Sequence, residues 1–169
     1  RGDIDPLHKR PYDLSGIETM FEPQVRQRGW QTIGAGAHSF ESWGLADHQR
    51  VIGQLAKMKF NHLILKIEPW HPFVQYDFGG VSKTTGTFWH GRKYPLTGDV
   101  VGKKAFGGAK FFSHPAFADA DSAVERKAAA QRFLTSLIES ARNYGMSVSV
   151  QLRRSSFAPE FAKVLKGSS

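Results

Sequence analysis

The chain has 169 residues, of which 40% are apolar and 22% are charged, and it contains no cysteine. These values are typical of one globular domain that is large enough to bury its own core. They exclude disulfides, cysteine nucleophiles and thiolate metal sites, and no apolar run approaches the roughly 18 residues of a membrane span.

The net charge of +8 is unevenly distributed along the chain. Residues 122–169 carry eight basic and three acidic side chains, whereas residues 1–30 carry five of each. A basic surface can attract polyanions. Because this excess lies away from the candidate site, a solvated helix face is the preferred interpretation. We therefore expect neither a membrane nor a nucleic acid as the partner.

The first half of the chain predicts a strand, a helix and a second strand. Residues 1–25 are polar and broken by three prolines, which indicates a surface arm or linker. The first strand is predicted at Gly29 to Ala35, the helix at Leu45 to Lys59, and the second strand at His62 to Ile67. Short connections between such elements are typical of a parallel β-α-β unit. The residues expected to face the sheet from the helix are His48, Val51, Ile52, Leu55 and Met58.

Residues 68–121 contain no long periodic segment but are rich in aromatic side chains and in glycine and proline. Connections beyond about 12–15 structureless residues are uncommon and are usually functional or disordered. The aromatic content argues against disorder. We expect an ordered, packed loop with a hairpin near Lys83 to Thr87.

The last third of the chain predicts another helix and strand. Ser122 and Glu125 fit a capping box, and Gly145 fits a left-handed helix end after Tyr144. The predicted buried stripe of this helix is Val124, Phe133, Leu134, Leu137, Ile138 and Ala141. A third buried strand is predicted at Met146 to Leu152, followed by a helix from Glu160 to Lys166. Residues 26–169 are thus expected to form one α/β domain of parallel β-α-β-α-β units, with residues 68–121 as a long aromatic loop after the second strand.

Short segments of the sequence resemble the helix-to-strand steps of carbohydrate-active barrel enzymes. Residues 54–65 contain Lys-Phe-Asn-His-Leu, which looks like the K-x-N-x-L step before a strand. Residues 143–148 resemble a later A-x-x-x-G-M-x-V step. Arg28-Gly29 is similar to the start of the first strand in hexosaminidase- and glucuronidase-like hydrolases. The resemblance covers roughly residues 26–155.

This resemblance implies the N-terminal units of a glycoside-hydrolase-type (β/α)8 (TIM) barrel that hydrolyses glycosidic bonds in a polysaccharide, without a cofactor. Such a barrel takes about 250 residues, and this chain supplies about three of the eight units. We therefore expect a partial barrel, with the remainder on the same or another chain. We also expect a secreted protein, in an extracellular or periplasmic location.

Glu68 is the candidate catalytic residue. Glycoside hydrolysis needs two carboxyl groups across the scissile bond, and Glu68 directly follows the second strand, where ligand sites of β/α proteins lie. The sequence does not identify its partner acid. The alternative roles of Glu68 are an acceptor for a sugar hydroxyl or a structural ion pair with Arg153.

Aromatic and histidine side chains are the first group of candidate substrate contacts. Trp70, Trp89 and Tyr94 could stack on sugar rings or form the core of the loop itself. His71 and His90 could donate hydrogen bonds to hydroxyls. Neither has a second ligand at a suitable spacing, so no metal site is expected.

A second group of candidates lies at other strand ends. His38 follows the first strand and could contact substrate or make a structural hydrogen bond. Arg92 and Arg153 could pair with a carboxylate or sulfate if the carbohydrate substrate is acidic. The resemblance adds Arg28 as a substrate-binding residue.

The alternative function is a non-catalytic domain that binds a glycan or a polyanion. The aromatic loop and the basic segment at residues 122–169 favour it. Such a domain has ligand affinity without turnover, and its affinity for a polyanion falls steeply with salt.

Overall fold

The computed structural model describes residues 15–16, 18, 20, 22–33, 42–84, 86, 93–98, 106–152 and 157–166. The described residues between 15 and 25 are all exposed and form no helix or strand. The rest of the arm predicted at residues 1–25 lies outside the described ranges.

The helices and strands of the described residues follow one another in chain order. They are β1 (Gly29–Ile33), α1 (Leu45–Lys57), β2 (His62–Ile67), β3 (Asp77–Phe78), β4 (Val81–Ser82), β5 (Tyr94–Pro95), β6 (Phe111–Phe112), α2 (Ala123–Asn143), β7 (Ser147–Leu152) and α3 (Ala162–Lys166). Two 3-10 turns, Pro115–Phe117 and Pro159–Phe161, precede α2 and α3.

The central sheet is parallel, and its order among the described strands is β1-β2-β7. The predicted parallel β-α-β-α-β arrangement is therefore confirmed. His62 pairs with Gly29 on one side and with Ser147 on the other, so all three strands begin at the same edge of the sheet.

Helices α1 and α2 both pack on one face of this sheet. Leu63 and Leu65 of β2, both 0% exposed, lie in one core cluster with Ile52 of α1 and Leu137 of α2. Because side chains alternate along a strand, Leu63, Leu65 and Ile67 share the helix face, whereas His62, Ile64 and Lys66 share the other. The sheet thus has a polar-containing face opposite an apolar, helix-covered face.

Local sequence explains the bounds of α1. The N-cap is Gly44, and the Gly44 N–H donates to Asp47 in the first turn at 3.3 Å. His48, Ile52 and Leu55 are buried as predicted. Met58 is 52% exposed, contrary to the prediction, because the helix ends at Lys57 and Met58 is its C-cap.

Helix α2 has the predicted capping box. The Ser122 hydroxyl accepts from the Glu125 N–H at 3.1 Å, and the Glu125 carboxylate accepts from the Ser122 N–H at 2.8 Å. Gly145 has a φ of +72° and ends the helix as predicted. Val124 is 77% exposed rather than buried, because the first turn borders an open cleft.

Strand β7 lies at an edge of the described sheet. The prediction that it is a buried strand was wrong, since Val150 is 52% exposed and Leu152 is 49% exposed. Both pair with β2 residues of the helix face. Both side chains are exposed because α1 and α2 cover the helix face of the sheet over β2 but leave the C-terminal part of β7 uncovered.

The described parts of the long segment after β2 form short elements, and some of their side chains pack on α2. Phe73 stacks on Phe133 with 6.0 Å between ring centroids, and Ile67 joins the same core cluster. The turn of the β3-β4 hairpin is Gly79-Gly80, both with positive φ, which favours a tight hairpin turn. This hairpin lies before Lys83, and part of the predicted one, Thr85 and Thr87, lies outside the described residues.

Candidate functional site

The candidate site begins where β2 ends. Glu68 follows the last residue of the strand and is 1% exposed, as is His71. The Glu68 N–H donates to Nδ1 of His71 at 3.1 Å. A neutral imidazole that accepts at Nδ1 carries its proton on Nε2. The turn thus fixes the histidine tautomer and holds a carboxyl group and an imidazole at the carboxyl end of the central strand.

Trp70 lies in the same turn and is half-buried. Its ring meets His71 edge-on, at 6.1 Å between centroids, and His71 meets Phe73 edge-on at 5.7 Å. His71 is therefore anchored in the aromatic core that reaches α2, whereas Trp70 keeps part of its ring at the surface. A half-exposed indole beside a buried carboxyl group can stack on a ligand ring.

A buried lysine lies next to this turn. Lys83 is 4% exposed, and its Nζ donates to the carbonyl oxygen of His71 and, at 2.6 Å, to that of Val74. Burial is the main cause that lowers the pKa of Lys83 from 10.5 to about 8; nearby Lys127 lowers it further, and Glu160 opposes both. Lys83 therefore ties the strand-end turn to the hairpin that follows it.

The C-terminal segment holds Lys83 in place from the other side. Phe161 is 0% exposed and stacks on Tyr76 at 5.0 Å between ring centroids. The neighbouring Glu160 accepts hydrogen bonds from the N–H and the hydroxyl of Thr84. These contacts fix the position of the backbone on which Lys83 sits.

A cleft of about 220 Å³ lies between the long loop after β2 and the start of α2. Its polar lining includes Lys83 and Thr84 from the loop and Arg126 and Lys127 from α2. Its apolar lining includes Val124. The cleft adjoins the Glu68 and His71 turn, because Lys83 lines the cleft and also binds the His71 carbonyl oxygen.

Arg28 lies at the opposite end of the sheet. Its guanidinium donates to the carbonyl oxygens of Lys59 and Val25, both at 2.6 Å, and its backbone N–H donates to the Asn61 side chain. Arg28 is thus next to the start of β2, and Glu68 is past its end, roughly 20 Å away at about 3.3 Å per residue. The structure does not bring the two together, and the contacts of Arg28 give it a structural role at the strand start.

The remaining predicted residues divide into two groups. Tyr94 is half-buried and opens the β5-β6 hairpin, where it pairs with Phe112. The positions of the other predicted contacts lie outside the described residues: His38, Trp89, His90, Arg92 and Arg153.

Sequence reasoning did not identify Lys83, Arg126 and Lys127 as site residues. Lys83 is a single lysine in a polar stretch, with no sequence signal that it is buried. Arg126 and Lys127 were interpreted as part of a solvated helix face.

Two features are absent from the described ranges. Within them, no three histidine, aspartate or glutamate side chains lie close enough together to hold a metal ion. None of the helices in the same ranges combines the length and the apolar character needed to cross a membrane.

Comparison with known proteins adds no relative. The chain matches no protein family, no curated protein and no solved structure.

Proposed function

We propose that this chain forms the N-terminal β/α units of a carbohydrate-active barrel enzyme that hydrolyses glycosidic bonds. The observation that carries the proposal is the pair of Glu68 and His71, both 1% exposed, directly after the central strand. Ligands of β/α proteins bind at the carboxyl ends of strands. Trp70 supplies a half-buried ring at the same place.

The topology supports the barrel part of the proposal. The strand order β1-β2-β7 advances in one direction, and α1 and α2 pack on the same face of β2. In a doubly wound sheet the order reverses and helices cover both faces. In a barrel each added unit lies beside the previous one with its helix outside, which agrees with the arrangement seen here.

In the proposed mechanism Glu68 acts on the sugar and His71 positions it. The hydrogen bond from the Glu68 N–H to Nδ1 of His71 fixes the backbone from which the carboxyl group projects. A carboxyl group at this place can protonate a leaving oxygen or accept a hydrogen bond from a sugar hydroxyl. The two roles predict different effects of a Glu68 substitution on kcat and KM.

The test is hydrolysis of a panel of 4-nitrophenyl glycosides and polysaccharides by the complete barrel that contains these units, as the wild type, Glu68→Gln and Trp70→Ala. If Glu68 is a catalytic acid, Glu68→Gln lowers kcat by roughly 10²–10⁴-fold with little change in KM. If it only binds a hydroxyl, KM rises and kcat is retained. The matched control is Glu139→Gln, an exposed glutamate on α2.

Circular dichroism spectra must show that each variant is folded. Unchanged kinetics in both Glu68→Gln and Trp70→Ala would refute this site. Saturable binding of a glycan without any turnover by the wild type would contradict the hydrolase and support the glycan-binding domain instead.

A further inference from the structure

Three positively charged side chains line the cleft between the long loop and α2. These are Lys83, Arg126 and Lys127, and no acidic side chain is among the described residues of its lining. Glu160 acts on the charge of Lys83, and its carboxylate accepts two hydrogen bonds from Thr84. Glu125, next to Arg126 in the chain, accepts hydrogen bonds from Ser122. Three cations therefore line the cleft, and these two acids close to them already have hydrogen-bond donors.

Lys83 has donor capacity that its known contacts do not use. An ammonium group has three N–H donors, and two of these bind the carbonyl oxygens of His71 and Val74. The third makes no hydrogen bond with any residue that the structure describes, although the Tyr76 ring centroid lies 5.8 Å from Nζ. A charged group that is 4% exposed gains from a further acceptor, because burial has removed most of its water.

The two cations of α2 reach the cleft from the other wall. Arg126 is half-buried, and its guanidinium donates to the Asp121 carbonyl oxygen at 2.9 Å, which orients it beside the start of the helix. Lys127 is exposed and is close enough to Lys83 to contribute to its lowered pKa. Mutual repulsion between such cations is relieved when an anion lies between them.

We propose that this cleft is an oxyanion-binding site in which Lys83, Arg126 and Lys127 hold a sulfate or phosphate group. Arginine and lysine are the side chains that proteins use for such groups. The volume of about 220 Å³ is below the roughly 300–1,000 Å³ of a drug-sized site, so it suits one anionic group and a small carrier. Exposed Val124 at the rim gives that carrier an apolar contact.

The oxyanion site does not depend on the proposed hydrolase activity. It lies beside the Glu68 turn, but it is made by other side chains and can bind an anion whether or not Glu68 acts on a sugar. The group could arrive as a free inorganic ion or as the sulfate of a saccharide, and the experiment separates these sources.

The experiment is a titration of the ¹⁵N-labelled chain, at constant ionic strength set with sodium chloride, followed by NMR chemical shifts. The probes are inorganic sulfate, inorganic phosphate, N-acetylglucosamine 6-sulfate and N-acetylglucosamine. We expect saturable shifts at Thr84, Val124 and Lys127 with the anionic probes and none with the neutral sugar. Tighter binding of the sulfated sugar than of inorganic sulfate identifies a sugar-borne group; equal binding identifies a free ion.

The double variant Arg126→Gln/Lys127→Gln tests the assignment without touching the buried Lys83. We expect it to bind sulfate at least roughly tenfold more weakly, since each lost bond to a charged group is worth about that factor or more. The control Lys110→Gln/Arg142→Gln removes the same charge from exposed positions elsewhere and should bind as the wild type does. Absence of saturable shifts at the cleft, or equal weakening in both double variants, would overturn the proposal.

Failure of the hydrolase proposal and failure of the anion-site proposal give different experimental results. Loss of turnover in Glu68→Gln with normal sulfate binding supports both proposals. Normal turnover on neutral glycosides with no sulfate binding removes the anion site alone.

Discussion

Replacing Lys83 with methionine should change how stability depends on pH. Burial is the first cause that lowers the pKa of Lys83 from 10.5 to about 8. Between these two pH values the unfolded chain holds a proton at residue 83 that the folded chain has released. The free energy of unfolding of the wild type therefore rises with pH in this window. Below about pH 8, residue 83 adds no such rise.

The size of the effect follows from the width of the window. One pKa unit corresponds to about 1.36 kcal/mol, and integration from pH 7 to pH 10 gives about 2–3 kcal/mol gained by the wild type at residue 83. Lys83→Met loses the hydrogen bonds to the carbonyl oxygens of His71 and Val74, which is a cost at every pH. The difference in stability between wild type and variant should therefore grow by about 2–3 kcal/mol from pH 7 to pH 10.

The assay is urea unfolding, followed by circular dichroism at pH 7, 8, 9 and 10 in chloride buffers. Other lysines and the tyrosines titrate in both proteins and cancel in the difference. Lys110→Met, which alters an exposed lysine, is the control and should differ from the wild type by a constant amount. A difference for Lys83→Met that stays flat, or that shrinks as pH rises, would refute the burial argument.

Smaller substitutions test the elements that position the site, each read as the change in unfolding free energy from urea curves at pH 7. Ser122→Ala removes the hydroxyl that accepts from the Glu125 N–H and should cost about 1 kcal/mol; no change would mean that the cap does not stabilise α2. Leu137→Ala, at a residue that is 0% exposed, should cost about 2–5 kcal/mol, and a cost near zero would contradict its place in the core. Gly145→Ala, at a φ of +72°, should cost about 1–2 kcal/mol because a Cβ is strained there. Val124→Ala, at a residue that is 77% exposed, should stay within about 0.5 kcal/mol of the wild type.

The parts of the fold that local sequence encodes could be predicted well. The capping box of Ser122 and Glu125 and the left-handed Gly145 bound α2 in both the prediction and the structure. These signals work because each is a backbone requirement met by side chains a few residues away. The apolar run of β2 could also be located from local sequence, because its residues are contiguous in the chain.

Exposure of single residues could not be predicted, because it depends on what lies above them. Periodicity places Val150 on the helix face, but no described helix covers β7 there, and the side chain is 52% exposed. Met58 is at a helical spacing but follows the last helical residue. The spacing of apolar residues predicts which face of a helix or strand is apolar, but it does not predict how far a neighbouring element covers that face.

The residues of the candidate site also differ in whether local sequence could predict them. Glu68, Trp70 and His71 could be proposed from sequence because they follow a strand that is evident by itself, and parallel strands gather ligands at that end. Lys83 could not, since its burial needs Phe161 of the C-terminal segment to pack on Tyr76 beside it. That contact joins residues far apart in the chain.

The basic excess of residues 122–169 has more than one structural explanation. On α2, Arg126 and Lys127 face the cleft with Lys83, whereas Arg142 lies exposed in the last turn, where a cation suits the helix dipole. Lys163 and Lys166 occupy the last turn of α3 in the same way. Charge that sits at helix ends stabilises those ends and is dispersed over the surface. Charge that meets a buried lysine in a cleft is concentrated, and this concentration, rather than the net value of +8, is what favours an anionic ligand.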